Sequence, residues 1–242
     1  MYHSPSLYCS HLDSLLSQED VTLDDVLADP NVVDECKAEN KSLLALYAIT
    51  QSHYLKQLVE HSVCGPDQTV PVTDQFRRCH VASELLSSGV PRVSFALLRD
   101  PDSLDVLYDR LHDRGLTHLS ASFVYRIISS LIQCSSDEMH KYFAEKTDLS
   151  ECILANIDKP SILDLFYNLV QSPTNPEISL QLSDSTLVSD LIGLLSVEQP
   201  DETHASVIQC LCGLLASSRA SLFPLSDMYM TRRNRLQEKL ER

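Results

Sequence analysis

The sequence predicts an all-α fold, an irregular armadillo- or HEAT-like helical solenoid. Three observations favour it. Apolar residues recur at intervals of three and four, as at Leu119, Phe123 and Ile127, which places them on one helix face. The chain of 242 residues has only five glycines, a residue that extended β architectures use freely. No run of alternating Val, Ile and aromatic residues indicates a strand. Short helices with one apolar face each share a core when they stack side by side.

Proline and polar segments mark the helix limits. A polar loop opens at Cys64-Gly65-Pro66 and runs to about Asp74, and a second covers about Ser172–Ser185. The third predicted helix has a break near Asn40. In chain order, the predicted helices cover residues 11–19, 22–28, 31–50, 52–63, 75–88, 91–99, 102–113, 118–133, 137–146, 148–157, 160–171, 186–196, 203–217 and 227–241.

The second helix carries the clearest start signal. Thr22 can accept a hydrogen bond from an unpaired backbone N–H of the first turn. Asp25 stands three residues later, where its carboxylate can accept from the Thr22 N–H and lie at the positive end of the helix dipole. This pattern predicts a capping box at the start of the helix.

The domain organisation is predicted as a single helical-repeat domain over residues 1–242. It is best supported over residues 11–171, with an extension or a truncated end at 172–242. No strict internal sequence repeat accompanies the helices, so a compact irregular helical bundle is the alternative architecture.

The net charge of the chain restricts the classes of partner that it can bind. The formal net charge is −15, so binding to nucleic acid or to an anionic membrane through bulk charge is disfavoured. No apolar run approaches ~18 residues, so no membrane span is predicted. Residues 19–35 contain seven carboxylates and no Lys or Arg. They form either a solvated helical face or an acidic docking surface.

The eight cysteines are scattered, and the N-terminus lacks a basic-then-apolar signal pattern. We expect free thiols in a reducing compartment, so a cytoplasmic and also nuclear location. Cys210 and Cys212 point in different directions on a predicted helix, unlike a zinc-binding pair. Cys79 and His80 lie about 100° apart on a helix and cannot easily act as nucleophile and base. The sequence therefore predicts no catalytic residue, no metal and no cofactor.

Four blocks resemble a known family, in the same order along the chain. The most specific is Glu35-Cys36-Lys37-Ala38-Glu39-Asn40-Lys41, within residues 21–44. The others are Phe76–Leu86 followed by Val90-Pro91, Ala121–Ile132, and Ser161–Phe166. Together they resemble the SAPS-domain family, the Sit4-associated proteins that are regulatory subunits of protein phosphatase 6. The chain is similar to a diverged member or to an N-terminal piece of one.

The resemblance implies a non-catalytic scaffold. It would bind the catalytic subunit of a protein phosphatase 6-type serine/threonine phosphatase and direct it to substrates or other regulators. Ankyrin-repeat or other regulatory proteins are implied as further partners. Holding enzyme and substrate on one surface raises their effective concentration without any chemistry in the scaffold.

Departures from the family pattern favour a second hypothesis. The family usually has Tyr-Pro-Asn where Arg78-Cys79-His80 stand, and His-Ile-Gly-Thr near Asn156-Ile157-Asp158-Lys159. The chain is then an armadillo-like adaptor that has lost phosphatase binding. A third hypothesis, an enzyme in its own right, has no credible nucleophile, metal or cofactor constellation to support it.

The predicted partner-binding residues are the polar members of the family blocks. Arg77 and Arg78 form either a solvated pair or a contact with an acidic groove on a partner. Alternatively, Asn40 and Glu84 form hydrogen bonds with backbone groups that are left unpaired at helix ends. The full set is Glu35, Lys37, Asn40, Arg77, Arg78 and Glu84.

Overall fold

The structure is a computed structural model that describes residues 11–18, 20–37, 52–71, 74–170, 182 and 185–216. The chain follows one helix after another through these segments. A 3₁₀ turn, Arg110–His112, continues directly from α7. The helices are α1 (His11–Leu16), α2 (Leu23–Ala28), α3 (Val32–Lys37), α4 (Ser52–Val63), α5 (Arg77–Leu86), α6 (Pro91–Leu98), α7 (Pro101–Asp109), α8 (His118–Cys134), α9 (Ser136–Ala144), α10 (Leu149–Ala155), α11 (Pro160–Val170), α12 (Ser185–Gly193) and α13 (201–216).

The all-α class is confirmed, because the described residues form helices and connecting segments with no strand among them. The predicted helix limits agree with the observed ones to within a few residues. The predicted helix at 31–50 is described only as α3, and its remainder lies outside the described residues. So do the predicted helix at 227–241 and most of the loop at 172–185.

Helix starts follow the local chemistry of the sequence. At α2 the capping box is confirmed, because the Asp25 N–H donates to Thr22 Oγ1 at 3.3 Å and the Thr22 N–H donates to Asp25 Oδ2 at 3.0 Å. Pro91 and Pro101 occupy the first turns of α6 and α7, where a missing N–H costs no helical hydrogen bond. Thr117 caps α8 by accepting from the Ser120 N–H at 3.1 Å.

The core is continuous, and α8 lies near its centre. This helix contacts α4, α5, α6, α9 and α11. Its apolar face is fully buried at Val124, Ile127 and Leu131, as the three-and-four spacing predicts. None of the described helices combines the length and apolar composition required to span a membrane.

Most side-chain hydrogen bonds between helices join residues that stand 37 to 45 positions apart, and the bond from Arg77 to the carbonyl oxygen of Ala28 spans 49. Armadillo and HEAT units are about 40–47 residues long, so this spacing is typical of stacked units. It supports the solenoid, which stays a prediction. The pairs in this range include Ser83–Arg126, Asp105–Tyr142, Asp105–Lys146, Tyr108–Asp148, Leu111–Asn156, Tyr125–Asn168 and Tyr167–Gln209.

Asp105 joins α7 to α9. Its Oδ1 accepts from the Tyr142 hydroxyl at 2.6 Å and from Lys146 Nζ at 2.7 Å. The Lys146 ammonium also lies 4.7 Å from the Tyr142 ring centroid. The hydrogen bond from Lys146, followed by that from Tyr142, lowers the pKa of Asp105 below its ordinary value.

We expect this contact to weaken in acid. The folded chain holds Asp105 ionised more firmly than the unfolded chain does, so its contribution to stability is present above the ordinary carboxyl pKa of about 3.9. The contribution is lost as pH falls through the lowered pKa of the folded state. The difference in free energy of unfolding between the wild type and Asp105→Asn should therefore shrink between about pH 6 and pH 3. Urea denaturation at each pH measures it.

The substitution Asp190→Asn, at an exposed position of α12, is the matched control because it removes a carboxylate from elsewhere on the surface. A difference between wild type and Asp105→Asn that stays constant down to pH 3, or that follows the Asp190→Asn control, would contradict this account of Asp105.

Candidate partner-binding surface

The structure separates the six predicted partner-binding residues into two groups. Glu35 and Lys37 lie on α3, where Glu35 is half-buried and Lys37 is exposed. Arg77, Arg78 and Glu84 lie on α5. The sixth residue, Asn40, lies outside the described residues.

Arg77 and Arg78 both reach back to α2. Arg77 Nη2 donates to the carbonyl oxygen of Ala28 at 3.1 Å, which satisfies one of the carbonyls that a helix end leaves unpaired. Arg78 Nε lies 3.1 Å from Asp24 Oδ1. The two arginines are exposed and each also makes a contact within the chain, so the choice between a solvated pair and a partner contact stays open.

Glu84 faces the next helix layer. Its Oε1 lies 3.5 Å from Arg126 Nη1 of α8, and Arg126 Nη2 donates to Ser83 Oγ at 2.7 Å. The Arg126 guanidinium also lies 5.5 Å from the Phe123 ring centroid. The Glu84 and Arg126 side chains are 35% and 37% exposed, so their ion pair contributes little to stability, within about 1 kcal/mol. Both remain accessible to another protein.

An open groove of about 660 Å³ lies beside this ion pair, between α5 and α8. We call it the α5–α8 groove. Arginine and aromatic side chains are enriched in protein interfaces, and this groove offers both beside polar groups. Its lining consists of His80, Ser87, Ser88, Gly89, Leu119, Ser122, Phe123, Tyr125, Arg126, Ser129, Ser130 and Gln133.

A second open groove, of about 740 Å³, lies between the end of α10 and the helices α12 and α13. Asp158 and Lys159 line it, and these are positions at which the chain departs from the family pattern. Lys159 Nζ donates to Asp158 Oδ1 at 2.9 Å, and the lysine side chain is only 8% exposed. The Lys159 ammonium is therefore paired with Asp158 within the chain and is little exposed to a partner.

Two cysteines meet where α4 ends and α5 begins, a proximity that sequence reasoning missed. Their sulfur atoms, Cys64 Sγ and Cys79 Sγ, lie 3.0 Å apart. The hydrogen bond from Cys79 lowers the pKa of Cys64 to about 7, whereas that same bond and burial raise the pKa of Cys79. Cys79 stands fifteen positions after Cys64, across a polar loop, so no local spacing pattern in the sequence indicates the pair.

Comparison with known proteins identifies relatives along most of the chain. The human protein named serine/threonine-protein phosphatase 6 regulatory subunit 1 is 29% identical over 223 residues, which is 90% of this chain and 25% of that protein. Regulatory subunit 3 from Gallus gallus is 27% identical over the same shares. Extragenic suppressor of kinetochore protein 1 from Schizosaccharomyces pombe is 26% identical over 83% of this chain. No solved structure matches.

The chain spans about a quarter of the length of the curated relatives it matches. The sequence model of the family described as SAPS, SIT4 phosphatase-associated protein, matches residues 128–242. That range includes α9 to α13 and the segment after residue 171, beyond the range over which the sequence best supports the predicted domain. The family match and the relatives together confirm the SAPS-family resemblance that the sequence predicts.

Proposed function

We propose that this chain is a non-catalytic regulatory or scaffold segment that binds the catalytic subunit of a protein phosphatase 6-type serine/threonine phosphatase. The similarity along 90% of the chain to phosphatase 6 regulatory subunits carries this proposal. The helical architecture supports it, because stacked helices form a long rigid surface on which a partner can lie. A cytosolic or nuclear location, and an ankyrin-repeat or other regulatory protein as a further partner, belong to the same proposal.

The direct experiment is co-purification of the purified chain with the phosphatase 6 catalytic subunit. Circular dichroism first establishes that the chain is folded. We expect a complex of the two proteins, and we expect the chain alone to hydrolyse no phosphoprotein. A folded chain that recovers no catalytic subunit would overturn the proposal, and phosphatase activity in the chain alone would overturn its non-catalytic part.

The α5–α8 groove can be tested as the contact surface by charge reversal. Arg126→Glu places a new carboxylate beside that of Glu84. It also replaces the positive charge of Arg126 in the groove with a negative one. We expect at least a tenfold loss of affinity for the catalytic subunit, which corresponds to about 1.4 kcal/mol. Isothermal titration calorimetry measures it.

The double variant Glu84→Arg with Arg126→Glu separates folding from binding, because it restores an ion pair inside the chain with the charges exchanged. A loss of affinity that persists in the double variant assigns the effect to the surface. Arg92→Glu, at an exposed position of α6, is the matched control and should bind like wild type. If the control loses as much affinity as Arg126→Glu, the groove is not the contact surface.

The second candidate function is an armadillo-like adaptor without phosphatase binding. The departures at Arg78-Cys79-His80 favour it, because Arg78 and Cys79 are committed to contacts within the chain. Reverting the three residues to Tyr-Pro-Asn tests this. A proline at position 79 stands in the first turn of α5, where a helix tolerates it. Binding gained only in the reverted chain would support the adaptor, and no gain would rule this explanation out.

A further inference from the structure

Three side chains with different donor atoms converge beside the 3₁₀ turn that follows α7. His112 ends that turn, Asp148 precedes α10, and Cys152 lies within α10. His112 Nε2 is 3.2 Å from Asp148 Oδ2 and 3.1 Å from Cys152 Sγ. The ligand atoms of all three lie within 4.8 Å of one another. Imidazole nitrogen, thiolate sulfur and carboxylate oxygen are the donors that zinc takes in proteins.

Two of the three donor–donor separations, those from His112 Nε2, are close to those of a metal site. Zinc–ligand bonds of about 2.0–2.3 Å in a tetrahedron place neighbouring donor atoms about 3.3–3.7 Å apart. The two contacts of His112 Nε2 need to lengthen by a few tenths of an ångström to reach those values. The imidazole also has to turn, because Cys152 Sγ lies 3.4 Å from its other nitrogen, Nδ1. The His112 and Asp148 side chains are 40% and 43% exposed, so both have room to make this adjustment.

The surroundings hold the donors in place. The Tyr108 hydroxyl donates to Asp148 Oδ1 at 2.7 Å, which leaves Oδ2 directed at His112. Carboxylate ligands of metals are commonly oriented by such an outer hydrogen bond. Tyr108 is itself buried, and Cys152 is buried on α10, whose backbone ties Cys152 N to Asp148 O at 3.1 Å. Two of the three donors are therefore fixed relative to each other by one helical turn.

The charges of the cluster match a divalent cation. One carboxylate and one thiolate supply two negative charges, and the imidazole is a neutral ligand. The sulfur and the imidazole favour zinc over magnesium or calcium, which prefer oxygen ligands. When the cation binds, the sulfur–metal bond replaces the S–H bond and the proton leaves to solvent. Zinc takes four ligands, and water can supply the fourth because the His112 and Asp148 side chains are partly exposed.

We propose that His112, Asp148 and Cys152 form a binding site for zinc or a similar thiophilic divalent cation. The site connects the end of α7 to the start of α10, so a bound cation would cross-link two successive helix layers. This proposal stands independently of phosphatase binding.

The test uses the full chain in a reducing, chelator-free buffer, titrated with cobalt(II). We expect one equivalent to bind with a thiolate-to-cobalt charge-transfer absorption and the visible spectrum of a four-coordinate site, and zinc to displace it. Cys152→Ser should abolish the charge-transfer absorption. His112→Gln and Asp148→Asn should each weaken cobalt binding by about tenfold or more. The control variants Cys64→Ser and Cys134→Ser should bind like wild type.

Wild-type protein without charge-transfer absorption would overturn the proposal. So would an absorption that survives Cys152→Ser or disappears in Cys64→Ser, because the sulfur ligand would then be elsewhere. Should Cys152→Ser fail to fold, the two exposed positions decide the question. Unchanged cobalt affinity in both His112→Gln and Asp148→Asn would refute the site.

Discussion

Replacing Phe143 with alanine is expected to lower the free energy of unfolding by about 3–5 kcal/mol. Phe143 is only 1% exposed. Its ring lies 6.3 Å from that of Tyr108 and 5.7 Å from that of Tyr142, where α9 packs near α7. The substitution removes the buried ring and leaves a cavity between helices that cannot close completely. Urea denaturation followed by circular dichroism measures the loss.

Phe95→Ala is the matched control. Phe95 also lies on a helix, α6, but its side chain is 43% exposed. We expect it to change the free energy of unfolding by about 1 kcal/mol or less, because little buried surface is lost. Similar losses for the two variants would show that the Phe143 side chain does not occupy the core as the structure describes.

Gly213→Ala is expected to destabilise the chain by up to about 2 kcal/mol, although alanine is the better helix former by about 1 kcal/mol. A Cβ at position 213 of α13 would stand 2.9 Å from Tyr167 Cδ1 and closer still to Cε1. Tyr167 cannot swing away freely, because its hydroxyl donates to the carbonyl oxygen of Gln209 at 2.5 Å. The glycine thus lets α13 approach the ring on α11.

Gly193→Ala is the control for Gly213→Ala, because a Cβ there would meet no atom within 4 Å. It should be neutral or mildly stabilising. In a Tyr167→Ala background the ring is gone, so Gly213→Ala should also become neutral or stabilising. Thermal and urea unfolding of the wild type, Gly213→Ala, Tyr167→Ala and the double variant measure the coupling between positions 213 and 167. A cost of Gly213→Ala that is the same with and without the Tyr167 ring would show that the ring is not the cause.

The fold class and most helix limits were accessible from the sequence, because they depend on local signals. The alternation of buried and exposed positions in α8, the proline starts of α6 and α7, and the Thr22 cap each act within one or two turns. The stacking of helices depends on contacts about forty residues apart, for which the sequence has no strict repeat. Hence the spacing of those contacts emerged only from the structure.

The candidate site was less predictable. Family resemblance indicated Glu84, but its partner Arg126 lies 42 positions further along the chain and has no sequence signal of its own. The metal-ligand cluster was missed for the same reason. Asp148 and Cys152 share the four-residue spacing of one helix face, whereas His112 joins them only through packing. Long-range pairing of polar side chains requires the fold to be known first.

The similar sequence separations of most inter-helix hydrogen bonds have a consequence for how the chain folds. Most of these bonds close a segment of similar length. The free-energy cost of closing a loop rises by only about 0.6 kcal/mol when the loop doubles in length. The entropy lost in forming the bonds therefore varies little along the chain. Bonds of this range connect each helix layer to the next one along the chain, although α8 also contacts the more distant α4. Early nucleation can therefore occur in the middle, around α8, and propagate toward both ends.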